Sequence, residues 1–588
     1  MKLRQLIPVL IIAAGLWAYH NSFQGPFIFD DESAIPDNPH IRHLWPISQA
    51  MCAPYCAVIG RPVVCLTLAL DYALGGLHVW GYHASNLTVH VLSALVLFGI
   101  IRRTLDGVKF RNRFGSASVW LAAAITLIWE VHPLQTECVD YIVQRTELLM
   151  GLFLLLTLYC VLRGSQSSRP GVWYSLAVVS CALGMGSKEV MVVAPLIVLL
   201  YDWMFLAASF REQWRQRWGL YLGLAGTWLI LPPLMAGTHY NTVGFGRGVS
   251  PWQYLETQAG IIPYYLRLCF WPQPLVISYF DWPFARSLED VLADGIIVLG
   301  LLAATVWAFR RRPWLGFLGA WFFLILAPTS SFLPILSEAA AERRMYLPLA
   351  AVVTLVVVGA FETGRRLLHR RWGFVVGCLA GGCVTALFTF LTIQRNRDYR
   401  SALTIWQDAV EKRPDNPVAH NFLGRALLQA GNAAQAIQQF QRALQLMPNL
   451  AQAHFNMATA FEQLGRTREA IKQYDQVLRL KPDTIEAQNN LAWLLATLAP
   501  EDGGNPVRGL ELAQGVCKLA PNGMTAPYLD TLAAAYAATG QFSNAVATAG
   551  KAIDLARSNE LPQVAAQIEP RLELYRSGRA YHQSVVSP

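Results

Sequence analysis

The stretch WQYLETQAGIIPYYLRLCFWP, Trp252–Pro272, decides how this chain is threaded. As a helix it is long enough to cross a bilayer. It also carries Glu256, Arg267 and a set of Trp and Tyr residues, which favour the membrane–water interface. Were it a span, every basic connection after it would change sides. Two such connections follow, FRRRP (309–313) and GRRLLHRRWG (364–373). Both would then face outward, against the rule that Lys and Arg stay on the cytoplasmic side. The stretch is therefore read as an interfacial or re-entrant helix.

The other apolar runs follow from that reading. Eleven spanning helices are predicted, near residues 5–20, 86–103, 116–131, 147–163, 172–187, 190–207, 218–236, 294–309, 314–329, 346–361 and 373–393. The composition agrees, with 54% hydrophobic and 14% charged residues, which excludes an ordinary soluble protein. The N-terminal run has a basic start but no small-x-small cleavage site, so it is read as a retained first helix. With a cytoplasmic N-terminus, five cytoplasmic connections are basic, beginning with IRRTLDGVKFRNRFG (101–115). An odd helix count puts everything after about residue 394 on the outer side. Short outer loops suggest a bacterial inner membrane, with the C-terminal region periplasmic. The net charge of +9 does not point to nucleic acid, because the Arg residues cluster between apolar runs without interleaved stacking aromatics. No P-loop, GxGxxG or GxSxG motif is present.

Beyond residue 398 the pattern becomes Ala/Gln/Leu-rich and repeats. Pro414, Pro448 and Pro482 are 34 apart, as are Gly431 and Gly465. Within NFLGRALLQAGNAAQAIQQFQRALQLMP (421–448), small residues alternate with large ones in the tetratricopeptide pattern. Such repeats stack into a solenoid that either binds extended peptide or serves self-association. The expected fold is all-α: a polytopic transmembrane helical core over residues 1–393, a repeat domain over 394–560, and a C-terminal helix and tail over 561–588.

Four outer segments hold ionisable residues beside membrane helices, where their cost makes a functional role the default expectation. They are FIFDDESAIPDNP (27–39), VHPLQTECVDYIVQRTELL (131–149), GMGSKEVMVVAPLIVLLYDW (184–203) and PTSSFLPILSEAAAERRMYLP (328–348). The DDxxAI of Asp30–Ile35, RPVVCLTLALDYALGG, GYHASNLTVH, the HPLQTE and QR block, SKE and AERRMYLP occur in one order along nearly the whole chain. In that order the sequence resembles the transmembrane and tetratricopeptide repeat-containing (TMTC) proteins and their bacterial relatives, which are GT-C type glycosyltransferases. The resemblance implies transfer of a sugar from a polyprenyl-phosphate carrier to a protein hydroxyl at the outer face, with the repeats recruiting the acceptor.

Chemistry gives the acidic residues a place in that reaction. A lipid-phosphate leaving group departs as a stable anion and needs no strong general acid, whereas an acceptor Ser or Thr hydroxyl needs a base. In GT-C enzymes the acid after the first membrane helix takes this role, which points to Asp30 or Asp31; register against Ala34 favours Asp30. Equally, the DDES turn suits helix capping. Glu137 and Asp140 either orient the acceptor, hold a divalent metal such as Mg or Mn, or pair with Arg145. Arg145, Lys188, Arg343 and Arg344 are candidates for the carrier phosphate, although Glu189 and Glu342 adjoin two of them and offer simple ion pairs. His83 and His90 are seven apart on one helix face and either line a sugar pocket or bond between helices. Trp252, Tyr254, Tyr264 and Tyr265 either stack on a sugar or anchor the surface. The rival expectation is a non-catalytic, membrane-anchored adaptor that uses only its repeats.

Overall fold

The computed structural model describes residues 6–52, 56–207, 209–236, 243–246, 248–519, 525–559 and 561–583. Among these residues the regular structure is helical, with one isolated bridge between Val243 and Ile335. Seven helical segments are long and apolar enough to cross a membrane: Val79–Asp106, Ile142–Gly164, Glu189–Leu206, Trp214–Ala236, Leu288–Arg311, Pro348–Leu367 and Trp372–Asp398. Five shorter apolar helices accompany them, Ile7–Ala18, Pro62–Gly75, Ser118–Glu130, Pro170–Met185 and Pro313–Leu326. Each of the eleven runs read from sequence falls on one of these helices. Pro62–Gly75 is the additional one, in the loop between the first two runs.

The starts are locally encoded. Pro62, Pro170, Pro313 and Pro348 each open a helix, where the missing N–H costs nothing and the fixed φ suits the first turn. The deciding stretch forms a helix over Pro251–Phe270 that is not among the long apolar segments. Ser250 caps it by accepting from the Gln253 N–H at 3.1 Å. Its polar side chains turn to protein. Tyr254 donates to the Thr329 carbonyl at 2.9 Å, Gln258 donates to the Ala339 carbonyl at 3.1 Å, and the Tyr265 hydroxyl accepts from the Ala341 N–H at 2.7 Å. All three bonds fix the irregular segment between Pro313–Leu326 and the short turn Glu342–Met345. That use explains why the helix carries so many polar groups for its length. Two buried indoles hold the far side of the same turn, Trp129 donating to the Tyr346 carbonyl at 2.8 Å and Trp321 to the Leu347 carbonyl at 2.9 Å.

The chain divides into two compact units, Met1–Asp408 and Ala409–Pro588. The division falls inside the helix Ala402–Lys412. The first unit has one large apolar core, against which buried polar side chains also lie. The second unit is a run of helix pairs, starting with Pro417–Gln429 and Ala433–Leu446, then Ala451–Gln463 and Thr467–Leu480. Between the members of each pair stand Gly431 and Gly465, with φ of 82° and 70°, a left-handed conformation that ends the first helix and suits glycine. At the crossing, a Cβ on Gly424 would stand 2.5 Å from the Phe440 ring, so the two helices meet at a position that only a hydrogen side chain fits. A stitch recurs in register. His420 bonds Gln439 at 2.7 Å and the Pro414 carbonyl at 2.9 Å, and His454, 34 residues on, bonds Gln473 at 2.7 Å and the Pro448 carbonyl at 3.1 Å. In the third repeat Gln488 takes the position and donates to the Pro482 carbonyl at 2.7 Å.

Candidate functional site

The acidic turn after the first helix is built on a strained residue. Phe29 has φ 52°, a region a bulky side chain enters at a cost of about 1–3 kcal/mol. Its ring is held between Tyr141, stacked at 6.3 Å, and Trp406, edge-on at 5.6 Å. The two residues that follow differ in burial. Asp31 points inward and is fully buried. One of its oxygens accepts from the Ile28 N–H at 3.1 Å and the other from the Val143 N–H at 2.7 Å. Asp31 therefore ties the turn to the segment that leads into the Arg145–Gly164 helix. Burial pushes its carboxyl well up, against the pull of those backbone donors.

Asp30 is held differently. Its backbone N–H donates to the Tyr141 hydroxyl at 3.0 Å, and its side chain is half-buried. Burial raises the carboxyl and the nearby Glu338 raises it further; Tyr141, Arg343 and Arg61 act in the other direction. A carboxylate made more basic by its surroundings, on a turn fixed by its neighbour, has the properties of a general base. The structure thus separates the pair into one half-buried carboxyl that has Tyr141 as its side-chain partner and one structural anchor.

Arg343 is one of the charges that act on Asp30. Glu137, buried behind it, accepts from the Arg343 N–H at 2.7 Å and is ion-paired with its guanidinium. Glu338, in front and less buried, is ion-paired with the other guanidinium nitrogen. Burial raises the Glu137 carboxyl, with Arg343 opposing. Arg344 makes no such pair. It donates to the Ala339 carbonyl at 2.7 Å and the Glu338 carbonyl at 2.5 Å, so it clamps the backbone of the segment that carries Glu338.

The remaining sequence candidates lie elsewhere. Arg145 is buried, paired with Asp71 at 2.6 Å, and also donates to Asn86 at 2.7 Å and to the Tyr82 carbonyl at 2.9 Å. That leaves it no face for a phosphate and does not join it to Glu137 or Asp140. Lys188 is buried against Glu147 at 2.5 Å. His83 bonds the Gly25 carbonyl at 3.0 Å, and His90 bonds the Tyr346 hydroxyl at 3.0 Å and the Glu130 carbonyl at 2.9 Å. Both histidines are buried and stitch chain segments together. Tyr254 and Tyr265 are buried and bind the 327–341 segment, while Trp252 is exposed. Asp140 is buried, with Ser22 and Arg395 as its polar neighbours, and burial pushes it up to about 7. The oxygens of Glu137 are committed to Arg343, and a second cation, Arg395, stands by Asp140. This donor set does not fit a divalent ion, and among the described residues no group of three or more His, Cys, Asp or Glu is arranged to hold one.

Three residues of this site were not singled out by sequence reasoning: Tyr141, Arg61 and Glu338. Tyr141 follows Asp140 directly, and Glu338 lies four residues before Glu342, but nothing local marks either one. Arg61 opens the RPVVCL stretch and pairs with Glu189 at 3.4 Å. An exposed-looking Arg just before a Pro-started helix was the one available signal.

The chain thus combines a polytopic helical core, an acidic turn after its first helix and a run of stacked helix pairs. Comparison with known proteins agrees. Residues 60–235 match the dolichyl-phosphate-mannose-protein mannosyltransferase family, and residues 394–451 and 427–494 match tetratricopeptide repeat families. Among curated proteins, the chain is 24% identical over 487 residues to the mouse protein O-mannosyl-transferase TMTC4, covering 72% of this chain and 64% of that one. It is 26% identical over 499 residues to human TMTC1, covering 73% and 54%, and 26% identical over 517 residues to Drosophila melanogaster Tmtc3, covering 74% and 55%. The chain therefore spans between about half and two thirds of the length of these relatives. Together with its apolar helices, the match makes it a multi-pass membrane protein.

Proposed function

We propose that this chain is a protein O-glycosyltransferase that moves a sugar from a polyprenyl-phosphate carrier to a Ser or Thr hydroxyl of an exported protein, with its repeats recruiting the acceptor. The relatives are named O-mannosyl-transferases, which makes mannose the first sugar to try. The observation that carries the reading is the half-buried Asp30 carboxyl, hydrogen-bonded to Tyr141 and within the electrostatic reach of Arg343 and Arg61, while Asp31 is spent on two backbone N–H groups of the fold.

In the reaction, Asp30 takes the proton of the acceptor hydroxyl as its oxygen attacks the anomeric carbon. The bond from that carbon to the carrier phosphate oxygen breaks, and the electron pair leaves with the phosphate. Arg343 and Arg61 balance the anion, which is released as polyprenyl phosphate. One carboxylate and direct attack give inversion at the anomeric carbon. The site and repeats face outward, with the N-terminus cytoplasmic; in a bacterium the outward side is the periplasm of the inner membrane.

The test is transfer by the purified full chain in proteoliposomes, supplied with polyprenyl-phosphate mannose and a Ser/Thr-rich peptide, and read by mass spectrometry. Asp30→Asn is expected to lower the rate by about a hundredfold or more, in line with loss of a positioned base. Wild-type rates from Asp30→Asn, or no transfer by the wild type from any polyprenyl-phosphate sugar, would favour the adaptor reading.

A further inference from the structure

Arg343 is bound asymmetrically. On its buried side Glu137 uses both oxygens, one on the backbone N–H and one on the guanidinium, and is 1% exposed. On its open side Glu338 uses its carboxylate alone and is 19% exposed. The backbone beneath Glu338 is held independently of that ion pair. Arg344 grips the carbonyls of Glu338 and Ala339, Gln258 binds the Ala339 carbonyl as well, and Tyr265 takes the Ala341 N–H. The Glu338 side chain can therefore rotate away from Arg343 without moving the segment that carries it. A single carboxylate on a flexible stem thus stands on the less buried side of a guanidinium whose other side is paired in the interior. Glu338 and Arg343 also both act on Asp30.

We infer that Glu338 is a displaceable counterion, occupying on Arg343 the position that a phosphate monoester or diester oxygen takes when the donor binds. This rests on the proposed carrier chemistry. A phosphate brings at least the charge of the carboxylate and a bidentate match to the guanidinium, so it competes on favourable terms. Displacement keeps an anion beside Asp30 in both states, so the base retains its setting when the donor arrives. Before that, Glu338 holds Arg343 in place and keeps adventitious anions from the site. No bond is made or broken in the exchange.

A structural role and a competing role predict opposite signs, which makes the idea testable. The full chain in nanodiscs is titrated with a long-chain polyprenyl phosphate, and in a parallel arm with inorganic phosphate, for wild type, Glu338→Gln, Glu338→Ala and Arg343→Gln. Removing a partly buried competitor is expected to tighten polyprenyl-phosphate binding about threefold to fivefold in both Glu338 variants. Arg343→Gln is expected to weaken it. Equal or weaker binding by Glu338→Gln and Glu338→Ala, in protein with wild-type unfolding temperature, overturns the inference while leaving the carrier reading intact. Absence of polyprenyl-phosphate binding in every protein overturns both. The same tightening with inorganic phosphate alone would support the counterion role and assign the site to a soluble phosphate. If Glu338→Gln is too unstable to measure, Glu338→Ala carries the same sign test, and loss of the fold in both shows that Glu338 is structural.

Discussion

The two adjacent aspartates are expected to fail in different ways when changed. Asp31 accepts from two buried backbone N–H groups, those of Ile28 and Val143. Asp31→Ala leaves both donors without a partner. At about 1–3 kcal/mol for each unsatisfied buried donor, the loss is about 2–6 kcal/mol. Asp31→Asn keeps one acceptor oxygen but turns an NH2 toward the other donor, so about 1–3 kcal/mol is lost. Asp30→Asn leaves its own backbone N–H on Tyr141 and changes a half-buried side chain of equal size, for a shift of about 0.5 kcal/mol or less. The readout is thermal unfolding of the full chain in detergent, followed with a thiol-reactive fluorophore. Buried Cys65 and Cys138 report unfolding of the first unit, above a baseline set by exposed Cys52, Cys378 and Cys383. The expected order of unfolding temperatures is Asp31→Ala lowest, Asp31→Asn next, and Asp30→Asn level with wild type. If Asp31→Ala unfolds with the wild type, or Asp30→Asn is the least stable, the division of labour drawn for the pair is wrong.

Two further outcomes follow from buried charge. Arg145→Ala leaves the buried Asp71 without its cation and with Ser85 as its side-chain donor, and is expected to cost about 3–5 kcal/mol, most of it recovered in the double variant Arg145→Met with Asp71→Leu, as judged by the same unfolding assay. Asp140 has a carboxyl raised from 3.8 to about 7, so the folded state holds a proton that the unfolded chain releases in that window. Stability from this group therefore falls as pH rises from about 4 to about 7, and Asp140→Asn is expected to unfold with a shallower pH dependence and to gain most at pH 8. A remaining slope is expected from Glu342, which burial also raises to about 7.

The fold was legible because its signals are local. Apolar runs and a 34-residue period are both readable within one window of sequence, and among the described residues each apolar run coincides with a helix and the repeats with helix pairs. The stretch Trp252–Pro272 was harder, since its Tyr and Gln residues serve a segment some 75 residues further on, as in the Tyr254 bond to Thr329. The site was legible only as a neighbourhood. Which of Asp30 and Asp31 is spoken for depends on a backbone N–H at Val143, 112 positions away. Arg145 looked like a phosphate ligand because its partner Asp71 lies on the separate Pro62–Gly75 helix, 74 positions earlier. Arg343 is adjacent to Glu342 in sequence, yet its partners are Glu137 and Glu338, and Glu342 instead accepts from the Val276 N–H and from Tyr279, both at 2.6 Å. Chain neighbours predicted pairings that the three-dimensional arrangement then reassigned.

The His stitch of the repeats has one more implication. Each begins at a proline carbonyl and closes within the 34 residues that follow, as in Pro414, His420 and Gln439, then Pro448, His454 and Gln473. A whole module can be excised or duplicated at those prolines without severing any of these cross-links. Array length is thereby uncoupled from the bonding inside each module, and reach toward a partner becomes a property that evolution or an engineer can dial in fixed increments.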